Sequence, residues 1–250
     1  MDMEEINVGD ALYSSEKTKK QIVHDQLREL IISGQLQPET LLQDRKLSVM
    51  LNTSRTPIRE ALQLLESEGL VKTLMGKGTV VTKINYEDIA RIYDVREYLE
   101  GLAARLCAQM ISAQQLEAIK EQFEQMDRCL NGISDRQQLF SIDNQFHNLI
   151  MTFSRNDLLI SIYQNNIYSQ TRRITHLIDS QPDGIVQAHK VHHAILNAIA
   201  DHNQERAEEL MRLHIRTSKI RHLQRFAPDL YPTIGEKDVR LLSEIGMTSI

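Results

Sequence analysis

A chain of 250 residues that is 41% hydrophobic and 25% charged can bury a substantial core, which excludes a chain disordered throughout. Aromatic residues make up only 5%, and ten Gly and five Pro supply few turns, so long helices with short connections are expected rather than many short strands. The net charge of −5 divides unevenly: residues 17–83 carry eleven Lys and Arg against seven Asp and Glu, +4, leaving −9 elsewhere, as for a basic head that meets a polyanion and an acidic body that does not.

Residues 1–16 are expected to be a flexible N-terminus. Met1 to Tyr13 is acidic and lacks the apolar segment of a signal peptide, and no run approaches the ~18 apolar residues of a membrane span, so a cytoplasmic protein without membrane contact is expected. From Lys17 to Ser33, Ile22, Val23, Leu27, Leu30 and Ile31 recur at helical spacing, and Gly34 stops the helix. After a turn at Pro38, a short helix is expected over about Asp44–Leu51, with Leu47 and Met50 or Leu51 inward, and Asn52-Thr53 turns the chain. Ser54 caps a third helix in which Pro57 is tolerated, because its missing N–H would have no intrahelical partner in the first turn. Ile58, Leu62 and Leu65 form the apolar stripe and Gly69 ends it. Two β-prone runs, 70–74 and 79–82, flank Met75-Gly76-Lys77-Gly78 and read as a hairpin. Three helices and a hairpin over 17–84 make a winged helix-turn-helix.

In that layout the second helix of the motif enters the DNA major groove by its N-terminal end. Arg55 and Arg59 stand four apart there, beside the core stripe rather than within it. Guanidinium groups fork onto guanine O6 and N7 or onto phosphate, and the helix N-terminus itself favours phosphate. Arg45 opens the preceding helix, and Lys77 sits between two glycines at the wing tip, where the chain can approach a groove closely. Exposed arginines on a helix are commonly only solvated charge. The DNA reading rests on four basic residues converging on one surface of one motif.

Residues 85–226 are almost continuously helical. Ile89, Ile92, Val95, Tyr98, Leu99 and Leu102 form one stripe; Leu116, Ile119, Phe123, Met126 and Leu130 form another. Breaks near Ser112, Asn131-Gly132, Arg155-Asn156, Gln181–Gly184 and Asp201–Asn203 divide the region into six or seven helices of an all-α bundle, so the whole chain is mainly α. Cys107 and Cys129 lack a paired motif and read as buried thiols. Eight of the nine His fall between residues 147 and 222. Asp143 and His147, four apart, share a helix face with Phe140 and Ile150. His192 shares a stripe with Ile195 and Ile199, and His214 with Ala207 and Leu210. His192 and His214 are both eleven residues from Asn203, so an antiparallel hairpin brings them level. With Asp143 and His147 from a neighbouring helix, this set suits Zn²⁺, Ni²⁺, Mn²⁺ or Fe²⁺. A lone His on an apolar face is usually a hydrogen-bonded core residue, and His24, His176, His202 and His222 are read as that or as solvated. His189 and His193 are read as pocket or supporting residues.

The run Leu36–Val81 resembles the DNA-binding domain of the GntR superfamily. The matching words are Leu-Gln-Asp-Arg-Lys-Leu-Ser at 42–48, Ser-Arg-Thr-Pro-Ile-Arg-Glu-Ala-Leu at 54–62, Leu-Leu-Glu-Ser-Glu-Gly-Leu-Val at 64–71 and the Gly-Lys-Gly wing. The resemblance assigns DNA contacts to Arg45, Ser54, Arg55, Thr56, Arg59, Gly76 and Lys77. The chain departs from the family pattern at two turns, with Pro38-Glu39 for Pro-Gly and Asn52-Thr53 for Gly-Val. Asp-Val-Arg-Glu-Tyr-Leu-Glu at 94–100, Asp143-x-x-x-His147, His192-x-x-Ile195-Leu196-x-Ala198-Ile199 and Met211-x-x-His214 resemble the FCD effector domain of the FadR-type subfamily.

Many such domains bind a divalent metal through one Asp and three His at these places, which implies Asp143, His147, His192 and His214 here, with zinc the first choice. The resemblance also implies a small organic acid as effector, with Arg96 as its carboxylate clamp. A homodimer is expected, because two heads must meet half-sites about 34 Å apart on a near-palindromic operator. The function expected is that of a transcriptional repressor. The alternatives are a metal-dependent hydrolase or lyase, and a DNA-binding protein whose helical domain serves only for dimerisation. In the tail, 227–250, Val239, Leu241, Leu242 and Ile245 can form a short helix against either domain or a partner subunit.

Overall fold

The computed structural model describes residues 17–131, 136–178, 183–227 and 235–247; the expected flexible N-terminus, 1–16, lies outside them. The chain divides into two compact units. One is Gln35–Thr82 with the preceding helix up to Ile31, and the other begins at Lys83.

In the first unit, α1 (Lys19–Ile32), α2 (Asp44–Met50) and α3 (Arg55–Ser67) are joined by β1 (Leu41–Leu42), β2 (Val71–Leu74) and β3 (Gly78–Val81). Val23, Leu27 and Ile31 of α1 pack on Leu47, on Ile58, Ala61, Leu62 and Leu65 of α3, and on Leu70, Val71 and Val81. Of the two inward candidates at the end of α2, Leu51 packs against this core and Met50 faces out. The wing pairs Val71 with Val81 and Leu74 with Gly78. β1 adds a third strand, pairing Leu41 with Val80, and its two residues are too few to show a period in sequence. Both turn substitutions fall on left-handed backbone: Glu39 has φ 67° and Asn52 φ 46°. Asn tolerates that region; Glu39 carries a penalty of roughly 1 kcal/mol, and its N–H donates to Val81 O at 2.9 Å.

The second unit contains α4 (Tyr86–Met110), α5 (Ala113–Asn131), α6 (Arg136–Phe153), α7 (Asp157–Tyr163), α8 (Ser169–Ile178), α9 (Asp183–Ala200), α10 (Gln204–Phe226) and α11 (Glu236–Glu244). The expected breaks fall between these helices, although Gly132 and 181–182 lie outside the described residues, as does the side chain of Phe140. A π-helical stretch, Gln164–Tyr168, joins α7 to α8. The helix starts are capped locally. Asn85 and Asp88 form a reciprocal capping box, and Asn156 and Asn203 accept the N–H of Leu159 and Arg206.

α4 departs from its expected orientation. Of the predicted stripe, Ile89 is buried and Ile92 and Leu99 pack against the core, whereas Val95, Tyr98 and Leu102 are exposed. The buried face instead carries Tyr93, Arg96, Glu97, Glu100, Gly101, Ala104, Cys107 and Ala108. Small residues are what a close helix crossing requires: a Cβ on Gly101 would lie 2.6 Å from Arg212 Cγ on α10. The charges on this face are tolerated because each is paired. Glu97 Oε1 accepts from Arg212 and from Arg216, and Glu100 accepts from Arg96.

The tail helix α11 packs on its own chain: Leu241 and Leu242 are buried, and Asp238 accepts two hydrogen bonds from Arg216 of α10, at 2.9 and 2.6 Å. Cys107 and Cys129 are buried free thiols, and burial pushes the Cys107 pKa up to about 12. Among the described residues no helix is long and apolar enough to cross a membrane.

Candidate functional site

The candidate DNA-contact residues of the first unit lie at its surface. Arg45, Ser54, Arg55, Thr56, Arg59, Gly76 and Lys77 are all exposed. Ser54 holds the N-cap position of α3 in extended conformation, but its side chain makes no capping hydrogen bond. The first-turn N–H groups of α3 and the Ser54 hydroxyl are therefore available to an anion. Among the described residues Arg45, Arg55 and Lys77 form no ion pair, whereas Arg59 Nε donates to Asp44 Oδ2 at 2.6 Å. That bond lies along one edge of the guanidinium and leaves the Nη atoms for another acceptor. Gly76 and Gly78 both take positive φ, which folds the wing tip tightly around Lys77.

In the second unit, α6, α9 and α10 bring three buried imidazoles together. His147, His192 and His214 each offer a ring nitrogen, and these atoms lie within 4.8 Å of one another. The Nε2 atoms of His192 and His214 are 3.2 Å apart, so the equal count from Asn203 does place them level across the hairpin. Asp143 stands at the edge of the cluster, its Oδ1 3.7 Å from His192 Nδ1. That oxygen is buried without a hydrogen-bond donor among the described residues, as is His214 Nδ1. Burial raises the Asp143 pKa, since nothing near it stabilises the carboxylate enough to compensate. Two facing imidazole nitrogens can share one hydrogen at most. A divalent cation would satisfy both of them; donor atoms of a tetrahedral zinc lie about 3.3 Å apart, close to the 3.2 Å between these two nitrogens, whereas the Asp143 oxygen lies beside Nδ1, the other nitrogen of the His192 ring.

Glu100 had no role in the sequence reading. It is 1% exposed and bridges two groups: Oε1 accepts from Arg96 Nε at 2.6 Å, and Oε2 lies 2.5 Å from His147 Nδ1. Burial opposes its ionisation, but Arg96 and His147 outweigh it and hold the carboxylate well below the usual range. Glu100 thus fixes the His147 tautomer and leaves Nε2 as the nitrogen without a hydrogen, the state a metal-binding imidazole needs. The visible signal was Arg96-x-x-x-Glu100, an i,i+4 ion pair, among small residues that mark a buried face. Arg96 itself is buried over the Tyr93 ring. Of the other histidines, His24 pairs with Glu68 at 2.5 Å, His222 Nδ1 with Tyr93 Oη at 2.6 Å and His202 Nδ1 with Ala108 O at 2.9 Å, as core or local hydrogen bonds.

Burial, and secondarily the neighbouring histidines and arginines, depress the pKa values of His192, His214 and His222 well below 6.5. These rings stay neutral in the fold, while the unfolded chain protonates them near 6.5. Stability therefore falls as pH drops below that value, by up to about 1.4 kcal/mol per pH unit for each ring. Metal-free protein is expected to melt at lower temperature at pH 5.5 than at pH 7.5 in scanning calorimetry. A flat profile would mean that the rings take up protons in place.

Residues 19–81 match the family model of bacterial regulatory proteins of the gntR family, and residues 91–217, just over half the chain, match that of the FCD domain. The chain belongs to the GntR family. This GntR protein is 26% identical to the HTH-type transcriptional regulator YdhC of Bacillus subtilis, over 76% of its own length and 85% of that protein. It is 26% identical to the Glc operon transcriptional activator of Escherichia coli, over 80% and 87% of the two chains. Its fold is that of Escherichia coli McbR/YncC, with a TM-score of 0.71 at 20% identity over 81% and 96% of the chains. The GntR chain is accordingly a DNA-binding transcriptional regulator, and the alternative of a metal-dependent enzyme is set aside.

Proposed function

We propose that this regulator binds a near-palindromic operator as a homodimer, and that a small carboxylate bound at a divalent metal releases it. The observation that carries this reading is the convergence of His147, His192 and His214 beside the unpartnered Oδ1 of Asp143. These four residues would hold the ion; Zn²⁺ fits the donor set best, and Ni²⁺, Mn²⁺ or Fe²⁺ can also take it. Bound there, the metal supplies a Lewis-acidic site for a carboxylate oxygen. The surrounding charge favours an anion. Arg96 and Arg221 both act electrostatically on Asp143 and His214, while Glu100 acts against them on His214. Because Arg96 Nε is committed to Glu100, its clamp role is confined to the Nη atoms, and Arg221 becomes a second candidate. A repressor is the simpler sign of control, since a dimer seated on an operator excludes polymerase without further contacts.

The homodimer is supported by the outward stripe of α4. Val95, Tyr98 and Leu102 are 46%, 63% and 40% exposed and share one helix face, where a second copy would cover them. Leu102→Glu is expected to shift sedimentation from dimer to monomer; an unchanged dimer would move the interface elsewhere.

The test of the metal is elemental analysis of purified protein and of His214→Ala, with operator affinity followed while organic acids are added. The variant is expected to lose the metal ion of this cluster, and the wild type to release DNA with one class of acid. Retention of that ion by His214→Ala would make His214 a structural histidine. An effector at a hundred times its Kd should also stabilise the protein by about 2.7 kcal/mol.

A further inference from the structure

A second group of metal-ligating side chains lies outside the cluster just described. His189 and His193 are one turn apart on α9, and Asp127 reaches them from α5. We infer that Asp127, His189 and His193 form a second, exchangeable site for a zinc-class divalent cation.

The geometry is that of one face of a coordination tetrahedron. Asp127 Oδ1 is 2.7 Å from His189 Nε2 and 3.5 Å from His193 Nε2, and the two Nε2 atoms are 3.1 Å apart. The edges of this triangle bracket the roughly 3.3 Å separation of donors around tetrahedral zinc. Hydrogen bonding serves the triangle poorly. If both rings donate to Asp127, two N–H groups face each other at 3.1 Å; if His193 accepts instead, one ring hydrogen is shared between a carboxylate and a second imidazole. A divalent cation engages all three donors at once. Two histidines at i,i+4 on one helix face are a chelating pair in their own right, and the carboxylate supplies a third, charged ligand.

The surroundings hold the donors in place and leave an approach for the ion. Phe123 stacks on His189 with ring centroids 5.3 Å apart and meets His193 edge-on at 4.8 Å. Asp127 and His193 are each close to half exposed, so the remaining coordination positions face solvent and the ion can exchange. Occupancy would tie α5 to α9, the helix that also carries His192. The two sites use different side chains, and the second does not depend on the first being loaded.

The experiment is zinc stoichiometry on full-length protein, stripped with chelator and dialysed against zinc sulfate alone. Wild type is expected to hold two zinc ions per chain, one of them removed more readily by a weak chelator. His193→Ala, at a half-exposed position, and Asp127→Asn are each expected to lose the labile ion and keep the resistant one. His214→Ala is expected to show the converse. One ion per chain in wild type, unchanged in His193→Ala and Asp127→Asn, would overturn the second site while leaving the first. One ion lost in those two variants but kept in His214→Ala would uphold the second site and remove the first. No bound zinc in wild type would overturn both.

Discussion

Arg55→Ala is expected to weaken operator binding by one to two orders of magnitude, and the double variant with Arg59→Ala to bind the operator no better than random duplex. The two guanidinium groups stand one turn apart at the exposed start of α3, and each bidentate contact to a guanine is worth about 1–3 kcal/mol of discrimination. Their situations differ. Arg55 has no ion-pair partner among the described residues, while Arg59 is held by Asp44 across α2 and α3. The Asp44 bond pre-orients the Arg59 fork, so Asp44→Ala should reproduce part of the Arg59→Ala loss without touching DNA. Neither arginine contributes to the core of its unit, so circular dichroism and metal content should be unchanged. Lys77→Ala serves as the control for backbone contact: it should weaken all sequences alike and reduce the salt dependence by about one ion. The measurement is fluorescence anisotropy against operator and competitor across a salt series. Undiminished operator affinity in both arginine variants would remove α3 from the role of recognition helix.

Glu100→Ala is expected to have the largest effect on the second unit, a destabilisation of about 3–5 kcal/mol in denaturant unfolding, because it strands the buried Arg96 charge. The loss should largely disappear in the double variant Arg96→Met with Glu100→Ala, which removes both charges; a double-mutant cycle isolates the coupling. The metal reading adds a second effect. Without Glu100, His147 loses the group that fixes its tautomer, and zinc affinity should fall ten- to a hundredfold, as for other carboxylates behind a metal-bound imidazole. Zinc affinity unaffected by Glu100→Ala would make the residue a purely structural counter-ion. At neutral pH the ion pair is fully present. Its folded-state pKa is depressed, so its contribution is lost only in acid, as pH falls from the unfolded carboxylate value near 4.5 through the folded one.

Much of this was legible in the residues themselves. Helix ends follow from local chemistry: Asn85, Asn156 and Asn203 cap helices within three residues of their partners, and Gly69 and Gly76 take the positive φ their turns require. The pairing of His192 with His214 could be read from a count, because a tight antiparallel hairpin makes equal distances from the turn equal heights. The winged unit was readable for the same reason, its core stripe on α3 being a short, strongly periodic pattern.

Elsewhere the local signals conflict. In α4 the larger aliphatic residues mark one side, while the Arg96–Glu100 pair with Gly101 and Ala104 marks the other, and it is the second that α10 covers. A buried carboxylate is tolerable only with a partner: Glu100 has a local one in Arg96, but its second, His147, and the partner of Glu97, Arg212, lie 47 and 115 positions away. Asp127 likewise meets His189 across 62 positions, which is why the second histidine pair could not be given its carboxylate in advance. Propensity, capping and periodicity act within about a turn of helix, so the residues alone determined the elements and their order. Burial, charge pairing and ligand geometry depend on which helices come to lie side by side, and those only the packed fold decided.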